Sequence, residues 1–107
     1  MSNILILKKD LEHEQVENET LIFDHENEKV VVLNEAAAAL WDLMEAENEY
    51  DELLDKYYDL FDSEKPPYRE FLKDFDRIMS HFAVNELIEA YQDSKNILLA
   101  HMEKEAV

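Results

Sequence analysis

Residues 21–43, LIFDHENEKVVVLNEAAAALWDL, decide the fold of this chain. Two apolar runs, 21–23 and 30–33, flank the polar stretch 24–28, which is rich in residues that favour turns. This arrangement predicts a β-hairpin. Asn34 follows the second run at once and can accept a backbone N–H as a helix N-cap, and the alanine-rich stretch after it favours a helix. We therefore expect a hairpin whose second strand leads directly into a helix.

Helical periodicity dominates the sequence after this hairpin. Apolar side chains recur every three or four residues in three segments, about 34–46, 49–61 and 67–84, which predicts three helices. Asn48 is a candidate cap for the second helix. The proline pair at 66–67 suits the start of the third helix, because proline is tolerated in a first turn but not in a helix interior.

The order of these segments predicts an α+β fold. Residues 4–33 favour strands, although 10–19 is polar enough to pair only weakly, and helical patterns follow. The segment 87–103 carries a further helical pattern and predicts an additional C-terminal helix. We therefore expect one domain over residues 1–91 and a helical extension over residues 92–107.

The charge and hydropathy of the chain bear on its partners and its location. There are 27 acidic residues against 10 basic ones, for a formal charge of −17, whereas nucleic-acid-binding domains carry a basic face. No run approaches the roughly 20 apolar residues of a membrane span. The apolar run Ile4–Leu7 is too short for a secretory signal. We expect a cytoplasmic protein that binds neither nucleic acid nor membrane.

The sequence lacks the residue patterns of common catalytic and cofactor sites. It contains no cysteine, and its four histidines are scattered, so no metal site is predicted. It also contains no glycine, which P-loops, dinucleotide fingerprints and nucleophile elbows require. We expect a non-enzyme without cofactor or metal, in which Asn, Asp or Pro replaces glycine at turns and helix ends.

Three segments together resemble the PqqD-like family, whose members are precursor-peptide recognition elements of ribosomally synthesised, modified peptides. The segments are ETLIFDHENEKVVVLNEAAAALWDLM, YDELLDKYYDLF and FLKDFDRIMSHF, within roughly residues 11–90. The residues that carry the resemblance are the strand Lys29–Val32, the Leu33-Asn34 pair, the alanine run, Leu40-Trp41, Glu52-Leu53 and Asp74. The family commonly has Gly-Leu after the third helix, where this chain has Asn85-Glu86-Leu87, and Asn85 can take the left-handed conformation that this turn would need.

The resemblance implies a winged-helix-like fold, in which an N-terminal three-stranded antiparallel sheet packs on three helices. It implies that the protein binds the leader of a precursor peptide for a modifying enzyme such as a radical SAM enzyme, a cyclase or a leader peptidase. In the family the leader adds a strand to the edge of the third strand, beside the third helix. The corresponding strand residues here are Lys29, Val30, Val31, Val32 and Leu33.

Two interpretations of this valine-rich run are open. By itself, a continuous apolar run favours a buried core strand with both faces covered. The resemblance instead favours a docking edge, with one face on the helices and the other awaiting a partner. Unpaired edges are usually blunted by charge, and the run carries only Lys29 for that purpose.

The third helix carries the other candidate peptide-binding residues. Arg69, Lys73 and Arg77 recur every four residues, at about 120°, 160° and 200° from the centre of the apolar face. This stripe is either a solvated face paired with nearby carboxylates or a source of contacts to an acidic leader residue. Arg69, on the flank that also carries Leu72 and Asp76, is best placed to reach a groove. We include Arg69, Leu72, Lys73 and Asp76 in the predicted site.

Two other functions remain open at this point. A winged-helix transcription factor would share the predicted fold, although the acidity and the lack of a basic recognition helix argue against it. A dimeric assembly subunit is the second alternative. The segment 92–107, with Ile97, Leu98 and Met102, can fold back on the domain, pair two copies as a homodimer, or contact a partner enzyme.

Overall fold

The described part of the chain, residues 4–91 of a computed structural model, has an α+β fold with two antiparallel sheets and three α-helices. The strands are β1 (Leu5–Lys8), β2 (Glu12–Val16), β3 (Glu19–Asp24), β4 (Lys29–Leu33), β5 (Glu47–Glu49) and β6 (Ile88–Tyr91). The helices are α1 (Glu35–Leu43), α2 (Tyr50–Asp59) and α3 (Tyr68–Val84), with a 3₁₀ turn at Asp62–Glu64. The predicted α+β class is confirmed.

The predicted hairpin is formed by β3 and β4. These strands are antiparallel, with Thr20 opposite Leu33 and Asp24 opposite Lys29. β2 pairs with the other side of β3, which gives the order β2-β3-β4. All five residues of β2 are exposed. The polar segment before β3 therefore pairs through its backbone without contributing side chains to the core.

A second sheet, in the order β5-β1-β6, corrects the prediction of a single three-stranded sheet. β1 lies in its centre, and Leu5 is opposite both Glu49 and Tyr91. β5 has the sequence Glu-Asn-Glu, which carries no apolar pattern. Because the partners of β1 are 40 or more residues away along the chain, local periodicity could not reveal this sheet.

The prediction of a helix starting at Leu87 is wrong for the described residues, because residues 88–91 form strand β6. Ile88 and Tyr91 are spaced as on a helix, but Leu87 and Ile88 are buried and Lys9 donates its backbone N–H to the Leu87 carbonyl. Pairing with β1 and burial outweigh the local pattern. The rest of that helix and the extension 92–107 lie outside the described residues.

Helix α1 begins as predicted. The Asn34 side chain accepts a hydrogen bond from the Ala37 N–H at 2.9 Å. The helix ends at Leu43, three residues before its predicted end. The Lys8 ammonium donates to the Met44 carbonyl at 3.3 Å and to the Trp41 carbonyl at 2.7 Å, which also accepts from the Met44 N–H at 3.2 Å.

Asn48 does not cap α2, contrary to the prediction. Glu49 occupies the cap position and makes no side-chain hydrogen bond there. The Asn48 side chain accepts from the Glu45 N–H at 3.0 Å and donates to the Glu45 carbonyl at 2.7 Å. The residue is buried, so these two bonds satisfy its amide while closing the loop between α1 and β5.

Acidic residues occupy the left-handed backbone positions of this glycine-free chain. Within residues 4–91, positive φ occurs at Glu17, Glu28, Asp62 and Glu86. The expectation of Asn, Asp or Pro is therefore wrong at the three glutamates. Asn85 keeps a φ of −87°, and its neighbour Glu86 takes the left-handed conformation instead. Each such residue costs roughly 1–2 kcal/mol, which a glycine avoids.

Replacing Glu17 with glycine should raise the free energy of unfolding. Glu17 has a φ of 57° in the turn between β2 and β3. Relief of the left-handed conformation exceeds the greater chain entropy of glycine, so we expect a gain of about 0.5–1 kcal/mol in urea denaturation. The control is Glu14→Gly, in the middle of β2, which should instead lose stability. A loss in both variants would contradict the assignment of strain to Glu17.

The helices pack against the inner faces of the sheets around one core. Trp41 contacts Phe82 edge to face, with ring centroids 5.4 Å apart. The largest fully buried side chains are Trp41, Phe71, Phe75, Phe82, Ile22, Leu33, Leu40, Leu53 and Leu87. Between residues 4 and 91, none of the helices has the length and apolar character needed to cross a membrane.

Candidate functional site: a groove between β4 and α3

Strand β4 lies at the edge of its sheet. It pairs with β3, and no other strand of residues 4–91 pairs with its second side. Val31 and Leu33 point into the core, whereas Val30 and Val32 are 52% and 49% exposed. Only one face of the valine run is therefore covered within the described chain, and the interpretation of a strand buried on both faces is wrong for it.

The exposed valines belong to an apolar patch on the outer face of the sheet. Val32 lies opposite Leu21, and Val30 lies opposite Phe23. Both partners are half-buried and point away from the core. A peptide strand added to β4 would place every second side chain beside this patch, because side chains alternate across a sheet.

A groove of about 360 Å³ separates β4 from α3. Its lining residues are Glu19, Val32, Leu33, Asn34, Ala37, Arg77, Ile78 and His81. Leu33, Ala37 and Ile78 make it apolar at its base, and Arg77 and His81 place donors on its rim. The remaining side chains of an added strand would point into this groove.

A second cavity of about 410 Å³ continues the groove towards the N-terminal half of α3. The two cavities share Asn34, Arg77 and Ile78. We call the second one the aromatic pocket, because its lining includes Tyr57, Phe61 and Phe71. Its other lining residues are Ala36, Glu64, Pro66 and Asp74.

The hairpin also contacts the C-terminal end of α3. Lys29 donates from Nζ to the Asn85 carbonyl at 2.6 Å, and the Asn27 side chain lies 3.4 Å from a Glu86 carboxylate oxygen. Asn27 also donates from its side chain to Asp24 at 2.8 Å, and this bond is the main cause that lowers the pKa of Asp24. The ammonium of Lys29 is thus held against α3.

The structure does not bring the predicted residues of α3 to the groove. Asp76 accepts a hydrogen bond from the Tyr50 hydroxyl at 2.7 Å, at the start of α2. Burial, followed by this bond, raises the pKa of Tyr50, which keeps the hydroxyl protonated as a donor. Leu72 lies on the same flank of α3 as Asp76, and Arg69 and Lys73 are exposed.

The groove is lined by the other flank of α3. Measured from Phe75, Ile78 and His81 lie at about −60° and −120°, whereas Leu72 and Asp76 lie at about +60° and +100°. Of the basic stripe, Arg77 is the member that lines the groove. Ile78 carried a sequence signal, since it belongs to the apolar face of the predicted helix, but His81 carried none.

The groove combines an open strand edge, apolar walls and a charged rim. Comparisons of the chain with models of protein families, with curated proteins and with solved structures found no match. Among the residues that the structure describes, no three His, Cys, Asp or Glu side chains are grouped so as to hold a metal ion. The open edge of β4 can offer its backbone for hydrogen bonding, with the two cavities beside it.

Proposed function

We propose that this protein is a non-catalytic peptide-binding module. It holds the leader of a ribosomally synthesised precursor peptide by β-strand addition to β4 and presents it to a modifying or processing enzyme. The observation that carries the proposal is the open edge of β4, whose residues alternate between an exposed apolar face and the core beside α3. In strand addition, main-chain hydrogen bonds supply affinity and the flanking pockets supply specificity.

The resemblance to the PqqD-like family supports this proposal. β2, β3 and β4 followed by α1, α2 and α3 give the order of elements expected for the winged-helix-like fold of that family, with the second sheet added to it. The partner enzyme would be a radical SAM enzyme, a cyclase or a leader peptidase, in the cytoplasm. The acidic charge of −17 disfavours the alternative of a DNA-binding regulator.

Titration with a leader peptide tests the proposal. The probe is a synthetic leader of the precursor peptide encoded beside this protein's gene, added to ¹⁵N-labelled full-length chain. We expect amide shifts in residues 29–33 and in residues 74–81 of α3. A leader that leaves both segments unchanged, or shifts only β2, would overturn the proposal.

Replacing Val32 with lysine should weaken leader binding about tenfold, which corresponds to roughly 1.4 kcal/mol. A charged side chain at an open strand edge opposes the addition of another strand. The matched control is Val16→Lys on β2, at the other edge of the same sheet, because the two valines are 49% and 46% exposed. Isothermal titration calorimetry with both variants should show a loss for Val32→Lys alone. Equal effects would place the leader elsewhere.

A further inference from the structure

We infer that the aromatic pocket takes a lysine or arginine side chain of the same peptide that binds along β4. The inference rests on the proposed function and adds the class of residue that the peptide must carry. It follows from the continuity of the two cavities, the aromatic walls of the pocket and the charge at its rim.

One face of α3 lines both cavities. Phe71, Asp74, Ile78 and His81 are spaced by three or four residues and border the pocket or the groove. At 1.5 Å per residue, the distance along the helix from Phe71 to His81 is about 15 Å. An extended peptide covers this distance with about five residues at roughly 3.3 Å each. A peptide paired with β4 therefore reaches the aromatic pocket within about five residues.

The walls of the pocket suit a cation on an aliphatic stem. Phe61 meets Tyr57 and Phe71 edge to face, with centroids 5.7 and 5.8 Å away. Phe61 is 37% exposed, whereas the other two rings are buried. The Tyr57 hydroxyl already donates to the Ala36 carbonyl at 3.0 Å. The pocket thus offers the partly exposed ring of Phe61, backed by two buried rings, and such a ring attracts cations and packs against methylene groups.

The rim of the pocket carries more negative than positive charge. Glu64 and Asp74 face one cation, Arg77, which lies 3.6 Å from the Asp74 carboxylate. Within residues 4–91, the Glu64 carboxylate makes no side-chain hydrogen bond or ion pair. Asn34 caps the start of α1 at the opposite wall, so the Ala37 N–H is not free for an anion. The unpaired carboxylate of Glu64 is therefore the counter-ion that we assign to the peptide's cation.

Selection from a random library of 12-residue displayed peptides tests the inference on the full chain. Wild type, Glu64→Gln and Phe61→Ala are selected in parallel, and Glu14→Gln on exposed β2 is the matched charge control. We expect peptides selected on wild type to carry Lys or Arg at one fixed place, within about five residues of an apolar strand-forming stretch. The enrichment of Lys or Arg at this place should be at least fivefold lower in peptides selected on Glu64→Gln and Phe61→Ala. It should stay unchanged in peptides selected on Glu14→Gln.

A single selected peptide then gives the energetic test. Replacing its Arg with citrulline, or its Lys with Gln, should weaken binding to wild type about tenfold and to Glu64→Gln less than threefold. Glu64 and Phe61 are both exposed, so we expect their variants to fold. Urea denaturation checks this.

The outcomes separate this inference from the proposed function. Selected peptides that bind Val32→Lys more weakly than wild type, but carry an apolar or acidic residue where we expect Lys or Arg, would overturn the inference. Strand addition to β4 would still hold. Selected peptides whose affinity is the same for wild type and Val32→Lys would overturn both. A dimer in light scattering that Val32→Lys abolishes would also overturn both, because a second copy would then occupy β4.

Discussion

Replacing Leu33 with aspartate should cost more than about 4 kcal/mol of the free energy of unfolding, or abolish folding altogether. Leu33 is the last residue of β4 and has no exposed surface. An ionised carboxylate there would lose its hydration in the core beside α1 and α3. Since domains are stable by only about 5–15 kcal/mol, urea denaturation followed by circular dichroism should show a much lower midpoint or no transition.

The matched control is aspartate at the preceding residue. Val32 is 49% exposed, so Val32→Asp keeps its charge in water and should change the stability by about 1 kcal/mol or less. The contrast between Val32 and Leu33 tests the alternation of exposed and buried side chains along β4, on which its open face depends. If both variants unfold, the outer face of β4 is covered in solution and does not await a peptide.

Replacing Trp41 with alanine should destabilise the protein by about 3–5 kcal/mol. The indole is 1% exposed and packs against Phe82, and its ring centroid lies 4.5 Å from the Lys8 Nζ. Its loss leaves a cavity where α1, α3 and β1 meet and removes the aromatic face over which the lysine lies. Chemical denaturation measures the change directly.

Two further variants separate the contributions at this position. Trp41→Phe keeps an aromatic ring in contact with Phe82 and should lose markedly less stability than alanine. Lys8→Met keeps most of the side-chain volume but removes the hydrogen bonds to the Trp41 and Met44 carbonyls, at a cost of about 1–3 kcal/mol. A loss of less than about 1 kcal/mol in Trp41→Ala would contradict the packing described for the core.

The open edge of β4 has a structural consequence for aggregation. Exposed apolar edges invite pairing with other chains, and proteins usually protect them with charge. Lys29, the only charged residue of β4, is held by the Asn85 carbonyl. The protection that remains is long-range repulsion between chains of formal charge −17. This balance would suit the strand addition that we propose for β4, because it keeps the edge open without self-association.

Local interactions account for what could be predicted from the sequence. The hairpin, the Asn34 cap and α3 depend on turn residues, on a side-chain oxygen three residues from its donor, and on a period that repeats within one helix. Each of these acts over a few residues. The strand at residues 29–33 was predicted from the same kind of local pattern, whereas the expectation of a docking edge there came from the family resemblance alone.

The groove and the second sheet depend on contacts between distant parts of the chain. A helical wheel orders the residues of α3 by angle, but it does not say which neighbour lies on each flank. The predicted Leu72 and Asp76 therefore face away from β4, and Arg77, Ile78 and His81 line the groove instead.

The amino-acid sequence by itself determined the α+β class, the hairpin, the capped helix after it and the periodicity of the three helices, because these arise from neighbours along the chain. Only the tertiary structure decided that residues 88–91 form a strand, that β1 joins β5 to β6, and that one flank of α3 meets β4. Strand pairing and side-chain burial between remote segments decide these features, and their free energy outweighs the weaker local propensities.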